Sequence, residues 1–224
     1  MVDGRVLAAM VEEDDASKGA RAERVRAGES RADVFLKEER EDGEFNQYWY
    51  TRHTIAVLAD EAEQAGGRCA FLATPSVYFS LGSERALAGG AVFDLDPRFG
   101  PPTMKKGGTY VQYDFKEPAA FPPELKGAFD MVVIDPPFIV EEVWVKFAET
   151  ARMLLKEGGK VLCTTVPENA PFMETLLGVK PQPFWPAMRT IAGGLPYQYV
   201  VYANYASPAL QERNPDIPSF AYDD

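Results

Sequence analysis

Few residues of the kinds that build ready-made sites occur in this chain of 224 residues: it has two cysteines, Cys69 and Cys163, and one histidine, His53. Both cysteines lie inside apolar runs without metal-ligand spacing, which argues for buried thiols of a reducing compartment. His53 precedes a predicted helix and has no second histidine or cysteine pair nearby, so a capping or surface role suits it better than that of a base or metal ligand. No apolar stretch approaches the roughly 18 residues of a membrane span, and the first residues lack a signal-peptide core, so a cytoplasmic protein without a membrane partner is expected. No G-x-G-x-x-G follows the first predicted strand and no G-x-x-x-x-G-K-[ST] occurs, which speaks against a dinucleotide and a phosphate-cradling loop. Cations are scarce too: 23 Lys and Arg against 34 Asp and Glu leave a net charge of −11 and a pI near 4.7. That balance argues against gripping long nucleic acid through its phosphates and favours a basic protein partner.

What the chain does have is a core: 46% hydrophobic and 12% aromatic residues rule out wholesale disorder. The length suits one full domain with extensions. Residues 1–44 differ from the rest, with 13 acidic residues against 8 basic, one aromatic (Phe35) and no proline. Their apolar residues come in two small clusters, Val6-Leu7-Met10-Val11 and Val34-Phe35-Leu36, so a solvated, partly helical or mobile extension is expected, with a docking arm for a basic partner as the alternative. The main domain is placed at residues 45–207 and a C-terminal tail at 208–224.

Within 45–207 strands and helices alternate. Thr54–Gln64 has helical spacing and stops at Gly66-Gly67. Arg68–Leu72, Ala91–Leu95, Thr109–Tyr113, Asp130–Ile134 and Lys160–Thr164 are short apolar runs suited to strands buried on both faces. Ser76–Leu87 and Glu141–Leu155 are predicted helices, the second leaving through the turn Lys156–Gly159. Gln182–Trp185 and Tyr197–Tyr205 are predicted to close the chain as a hairpin. The fold class is therefore α/β, a mostly parallel sheet with an antiparallel C-terminal hairpin.

Ligands in such sheets sit beyond the carboxyl ends of the strands. Those ends carry Ala73-Thr74-Pro75-Ser76, then Asp94 and Asp96, then Asp114-Phe115, then Asp135-Pro136-Pro137-Phe138. A carboxylate closing the second strand suits a ribose diol, and both Asp94 and Asp96 qualify.

The run Asp135-Pro136-Pro137-Phe138 directly after a buried strand resembles the amino-methylating signature of class I S-adenosylmethionine-dependent methyltransferases. Two fixed acceptors would aim a nitrogen lone pair along the axis of a methylsulfonium, and two prolines would stiffen the turn that holds them. A wider set occurs in order: Gln47-Tyr48-Trp49-Tyr50-Thr51, Thr74-Pro75-Ser76-Val77-Tyr78, Asp96-Pro97-Arg98-Phe99, Tyr113-Asp114-Phe115, Asp135-Pro136-Pro137-Phe138, Leu177-Gly178-Val179 and Tyr202-Ala203-Asn204-Tyr205. Together these resemble the elongation factor 1-alpha lysine methyltransferase 1 family over roughly residues 45–207.

The resemblance implies a Rossmann-like seven-stranded fold, S-adenosylmethionine as donor and a lysine of the translation elongation factor as acceptor. It places Tyr48, Trp49 and Tyr50, with Thr51 beside them, over the cofactor, and Thr74, Pro75 and Ser76 where a glycine loop usually lies. Asp94 or Asp96 would hold the ribose, and Asp114-Phe115 would flank the adenine. Asp135, Pro136, Pro137 and Phe138 would receive the target nitrogen. Many members have Tyr at the position of Phe138, and the loop Gly100–Gly108, with Pro101-Pro102 and Lys105-Lys106, is longer than expected. The alternatives are an adenine-N6 methyltransferase on RNA or DNA and a catalytically silent scaffold. The charge balance favours lysine over adenine, and the intact Asp135-Pro136-Pro137 turn counts against the scaffold.

Overall fold

The computed structural model describes residues 29–101, 103–104, 107–189 and 198–222. The expectations for residues 1–28, and for Pro102, Lys105, Lys106 and Tyr197, lie outside the described residues. The strands are β1 (Cys69–Leu72), β2 (Ala91–Asp94), β3 (Thr109–Gln112), β4 (Phe129–Ile134), β5 (Leu155–Thr165), β6 (Lys180–Pro181) and β7 (Val200–Ala203). They form one seven-stranded sheet in the order β3-β2-β1-β4-β5-β7-β6. The strands from β3 to β5 are mutually parallel, while β7 runs antiparallel to β5 and β6. The α/β class and the antiparallel C-terminal edge are thus as expected.

The central strands are mostly apolar, apart from Asp94 and Asp130, because helices cover both faces. On one face Phe71, Val92, Met131 and Val133 pack with Ile55 and Leu58 of the helix Arg52–Gln64. On the other, Leu72, Phe93, Val132 and Ile134 pack with Trp144, Phe147, Ala151 and Leu154 of the helix Glu141–Leu154. Because successive side chains of a strand point to opposite faces, Phe71 and Leu72 enter different cores. Among the described residues no helix is long and apolar enough to cross a membrane.

Four expectations need correction. The stretch expected as one helix over 76–87 is two, Pro75–Phe79 and Glu84–Gly89, because the Ser83 hydroxyl accepts from the Ala86 amide at 3.1 Å and starts a new helix. The turn Lys156–Gly159 lies inside β5, as a bulge where the partner of β4 jumps from Leu155 to Lys160. The C-terminal hairpin is shorter than expected: Gln182–Trp185 is irregular and only Lys180–Pro181 pairs as a strand with β7, although the Gln182 amide still donates to the Val201 carbonyl at 2.8 Å.

The fourth correction moves a boundary. Within the segment expected to be solvated, partly helical or mobile, residues 31–38 form a helix that packs on the core, while Arg40, Glu41, Gly43 and Glu44 are exposed. Ser30 caps the helix Arg31–Glu38 in a capping box with Asp33, and Val34 and Phe35 are fully buried. The Phe35 ring lies 5.2 Å from Trp49 edge-on and 6.2 Å from Phe79, so this one aromatic ties the segment into the core. The C-terminal tail is packed as well. Leu210 is buried, and the Asn214 side-chain amide donates to Thr54 Oγ1 at 3.0 Å and to the Trp185 carbonyl at 2.8 Å.

Candidate active site

In the strand order, β1 lies between β2 and β4, so the chain winds outward from β1 in both directions and leaves a crevice at that switch point. A cavity of about 530 Å³ opens there, within the size range of small-ligand pockets. Each strand end contributes to it differently.

At the exit of β1, Ala73 takes a left-handed conformation (φ 53°), held by its amide donating to the Phe93 carbonyl at 2.8 Å. A non-glycine residue there is uncommon and marks a backbone held by its surroundings. The sharp turn brings Ala73, Pro75 and Ser76 to the cavity. Thr74 does not line it; its hydroxyl turns inward and donates to the Val133 carbonyl at 3.4 Å.

At the exit of β2 the two candidate carboxylates separate. Asp94 lines the cavity and accepts the Asp96 amide at 2.9 Å. Burial pushes its pKa up to about 7, against the opposing pull of that amide. Asp96 is 1% exposed and does not line the cavity. Arg98 Nη2 and Nε lie 2.6 and 2.8 Å from its Oδ2, and Gln47 Nε2 donates to the same oxygen at 2.9 Å. Burial pushes Asp96 up, but these bonds outweigh it and hold the carboxyl below the ordinary carboxylate range. Of the two, Asp94 alone is free to meet a ligand in the cavity.

After β3, Asp114 and Phe115 both line the cavity. The Phe115 ring stacks on Phe147 at 6.0 Å and meets Phe138 edge-on at 6.5 Å.

At the exit of β4, Asp135 lies at the cavity's inner wall, its amide donating to the Leu72 carbonyl at 3.2 Å. Burial pushes its pKa up to about 7, with the hydroxyls of Thr164 and Tyr50 partly restraining it. Those hydroxyls are themselves linked, Tyr50 donating to Thr164 Oγ1 at 3.0 Å. Pro136 and Pro137 line the cavity, and Phe138 stands half-exposed at its mouth.

A fifth contribution comes from the segment before the helix Arg52–Gln64. Asn46 is left-handed (φ 55°), and its side-chain amide donates to the Pro137 carbonyl. Tyr48, Trp49 and Tyr50 line the cavity in different ways. Tyr48 is 40% exposed, Tyr50 reaches Thr164, and Trp49 is 4% exposed with its indole donating to the Glu39 carbonyl at 3.2 Å. Thr51 lies outside the cavity and caps the helix, its hydroxyl accepting from the Thr54 amide at 3.4 Å.

The structure therefore gathers twelve of the fifteen expected residues around one cavity and leaves out Thr51, Thr74 and Asp96. It adds Asn46, Met188 and Tyr199 to the lining and Thr164 behind Asp135. Thr164 could have been found, since it sits at the carboxyl end of β5 by the same rule that singled out the other strand ends. Asn46 carries a weaker signal, as Asn is the residue most tolerant of the left-handed turn after glycine.

The residues present fit S-adenosylmethionine. Asp94 offers a desolvated carboxylate to a diol, Phe115 a ring face to an adenine, and the carboxylate-rich lining a favourable field to a sulfonium. Sheet order and switch-point cavity are those of a class I methyltransferase, whose methyl donor is S-adenosylmethionine.

The family model described as "Probable N6-adenine methyltransferase" matches residues 41–207. EEF1A lysine methyltransferase 1 of Gallus gallus is 37% identical over 177 residues, covering 75% of this chain and 76% of the relative. That of Bos taurus is 35% identical over 173 residues, covering 75% and 72%. Protein-lysine N-methyltransferase M142.8 of Caenorhabditis elegans is 29% identical over 177 residues, covering 74% and 78%. The chain belongs to the EEF1A lysine methyltransferase 1 family.

Proposed function

We propose that the protein transfers a methyl group from S-adenosylmethionine to the ε-amino group of a lysine on translation elongation factor 1-alpha, in the cytoplasm. The observation that carries this choice of acceptor is the charge of the cavity: its carboxyl groups are Glu44, Asp94, Asp114 and Asp135, and no Lys, Arg or His among the described residues lines it. The negative charge these groups carry attracts an ammonium and repels the phosphates that flank an adenine. The names of the relatives support the same acceptor.

Asp94 would hold the ribose, Phe115 would lie against the adenine, and Tyr48 with Tyr50 would cover the donor from the segment side. When bound, S-adenosylmethionine supplies an electrophilic methyl on a positively charged sulfur. Asp135 and the Pro136 carbonyl would accept hydrogen bonds from the incoming nitrogen, and Phe138 would wall its stem. An ammonium with pKa near 10.4 must lose a proton before it attacks. Desolvation on binding and the positive sulfur beside it would lower that pKa, with water carrying the proton away, and Asp135, poised near 7, would accept a hydrogen bond without fully favouring the charged amine. The hydroxyls of Tyr50 and Thr164 would hold the Asp135 carboxyl in place for the incoming nitrogen.

Transfer from labelled S-adenosylmethionine, with purified elongation factor 1-alpha and adenine-containing oligonucleotides assayed side by side, tests the proposal. Label confined to one lysine of the protein is the expected result. Label on the oligonucleotide would overturn the choice of acceptor and restore the adenine alternative.

A further inference from the structure

Among the described residues, the exposed large hydrophobic side chains are Tyr48, Leu95, Phe138 and Val140, and all four line the same cavity. On the proposed reading Tyr48 and Leu95, the latter next to Asp94 in the chain, lie on the donor half, where a bound donor would cover them. Phe138 and Val140 lie on the acceptor half and stay 50% and 52% exposed. Val140 is also placed against the rules of helix formation. It occupies the N-cap of the helix Glu141–Leu154 and makes no side-chain cap bond, at a position where Ser, Thr, Asp or Asn would satisfy a free amide and valine cannot. Folding therefore gives no reason for an apolar side chain there, and a local rule broken beside a site points to function.

Glu141 and Glu142 follow at once, both exposed, in the first turn of that helix. Glu44, also exposed, lines the cavity from the segment before Asn46, which is tied to the Pro137 carbonyl. The acceptor half of the mouth is thus an apolar lip bordered by carboxylates.

Resting on the lysine-transfer reading, we infer that this lip is a docking face for a basic protein surface that carries an apolar side chain next to the acceptor lysine. Burying the exposed half of Val140 against that neighbour contributes to binding the protein and nothing to the transfer itself, so it sets KM and not kcat. Glu141 and Glu142 attract the basic surround over a distance that salt shortens.

The test is steady-state kinetics on elongation factor 1-alpha with Val140→Ser and with the double variant Glu141→Gln, Glu142→Gln. Val140→Ser supplies the missing cap, so its melting temperature should hold or rise while KM for the protein rises about fivefold, kcat stays, and donor affinity stays. The double variant should raise KM at low salt and flatten its dependence on ionic strength. Unchanged KM and salt dependence in both, with a wild-type enzyme that methylates the factor normally, would overturn the docking face alone. A wild-type enzyme that leaves the factor unmethylated would overturn the lysine reading beneath it.

Discussion

Replacing Asp94 by Asn should make the protein more stable and bind its donor worse, and the two effects should share one pH dependence. In the folded protein burial raises the Asp94 pKa from 3.8 to about 7. A group raised in this way favours the fold when protonated, so its contribution is complete below pH 4 and is lost as pH climbs through about 7. A shift of about three units corresponds to roughly 4 kcal/mol, and water in the open cavity reduces that to about 2 kcal/mol. Asn keeps the shape and can still accept the Asp96 amide, but carries no charge. The melting curves of wild type and Asp94→Asn should coincide near pH 4 and separate above pH 7. There the variant should melt roughly 4–8 °C higher, at about 2–4 °C per kcal/mol for a domain of this size. A ribose diol donating to the carboxylate favours its ionised form. Donor affinity of the wild type should therefore rise about tenfold between pH 6 and pH 8, while that of the variant stays flat and weaker by about tenfold or more at pH 8. Calorimetric titrations at three pH values, with parallel thermal melts, measure both. A wild-type affinity independent of pH, or a variant less stable at pH 8, would refute the assignment of Asp94.

Other consequences are as direct. Asn46→Gly keeps the left-handed turn and deletes the amide that holds the Pro137 carbonyl; kcat should fall about tenfold with donor affinity and melting temperature nearly unchanged, and Asn46→Ala should add about 1 kcal/mol of backbone strain. An unchanged kcat in both would show that the contact does not position the acceptor turn. Arg98→Ala strands the buried Asp96 carboxylate and should cost about 2–3 kcal/mol at pH 7. Because the Asp96 pKa is lowered in the fold, that cost should shrink as pH falls below about 4, which acid titration of the two proteins would show. Phe35→Ala should cost about 3–5 kcal/mol, and removal of residues 1–44 should lower the melting temperature rather than spare it. A truncated protein melting with the full chain would contradict the packing of helix Arg31–Glu38.

The parallel sheet was legible because its central strands are short, apolar and closed by glycine turns, a pattern that leaves little else for residues 69–72, 91–94 and 129–134 to do. The strand-end rule then led to Asp94, Asp114 and Asp135 without any knowledge of contacts. What the sequence hid was set by single interactions. Helix Arg31–Glu38 looked solvated because most of it is charged, and one aromatic ring, Phe35, decides its fate. Asp94 and Asp96 are equivalent by spacing, and only the partners brought by Arg98 and Gln47, the latter from 49 residues away, separate them. Thr51 and Thr74 belong to informative motifs yet spend their hydroxyls on a helix cap and a strand carbonyl. Tyr48, Trp49 and Tyr50 divide three roles, since adjacent side chains cannot all face one way.

The most direct measurement is the rate of methyl transfer to elongation factor 1-alpha by Asp135→Asn at saturating donor, with donor affinity determined on the same preparation. The expected result is a loss of roughly a hundredfold or more in rate with affinity within about tenfold of wild type, because the variant keeps the cavity and loses the carboxylate that aims the amine. A variant that methylates at the wild-type rate would contradict the assignment of the Asp135-Pro136-Pro137-Phe138 turn as the place where transfer occurs.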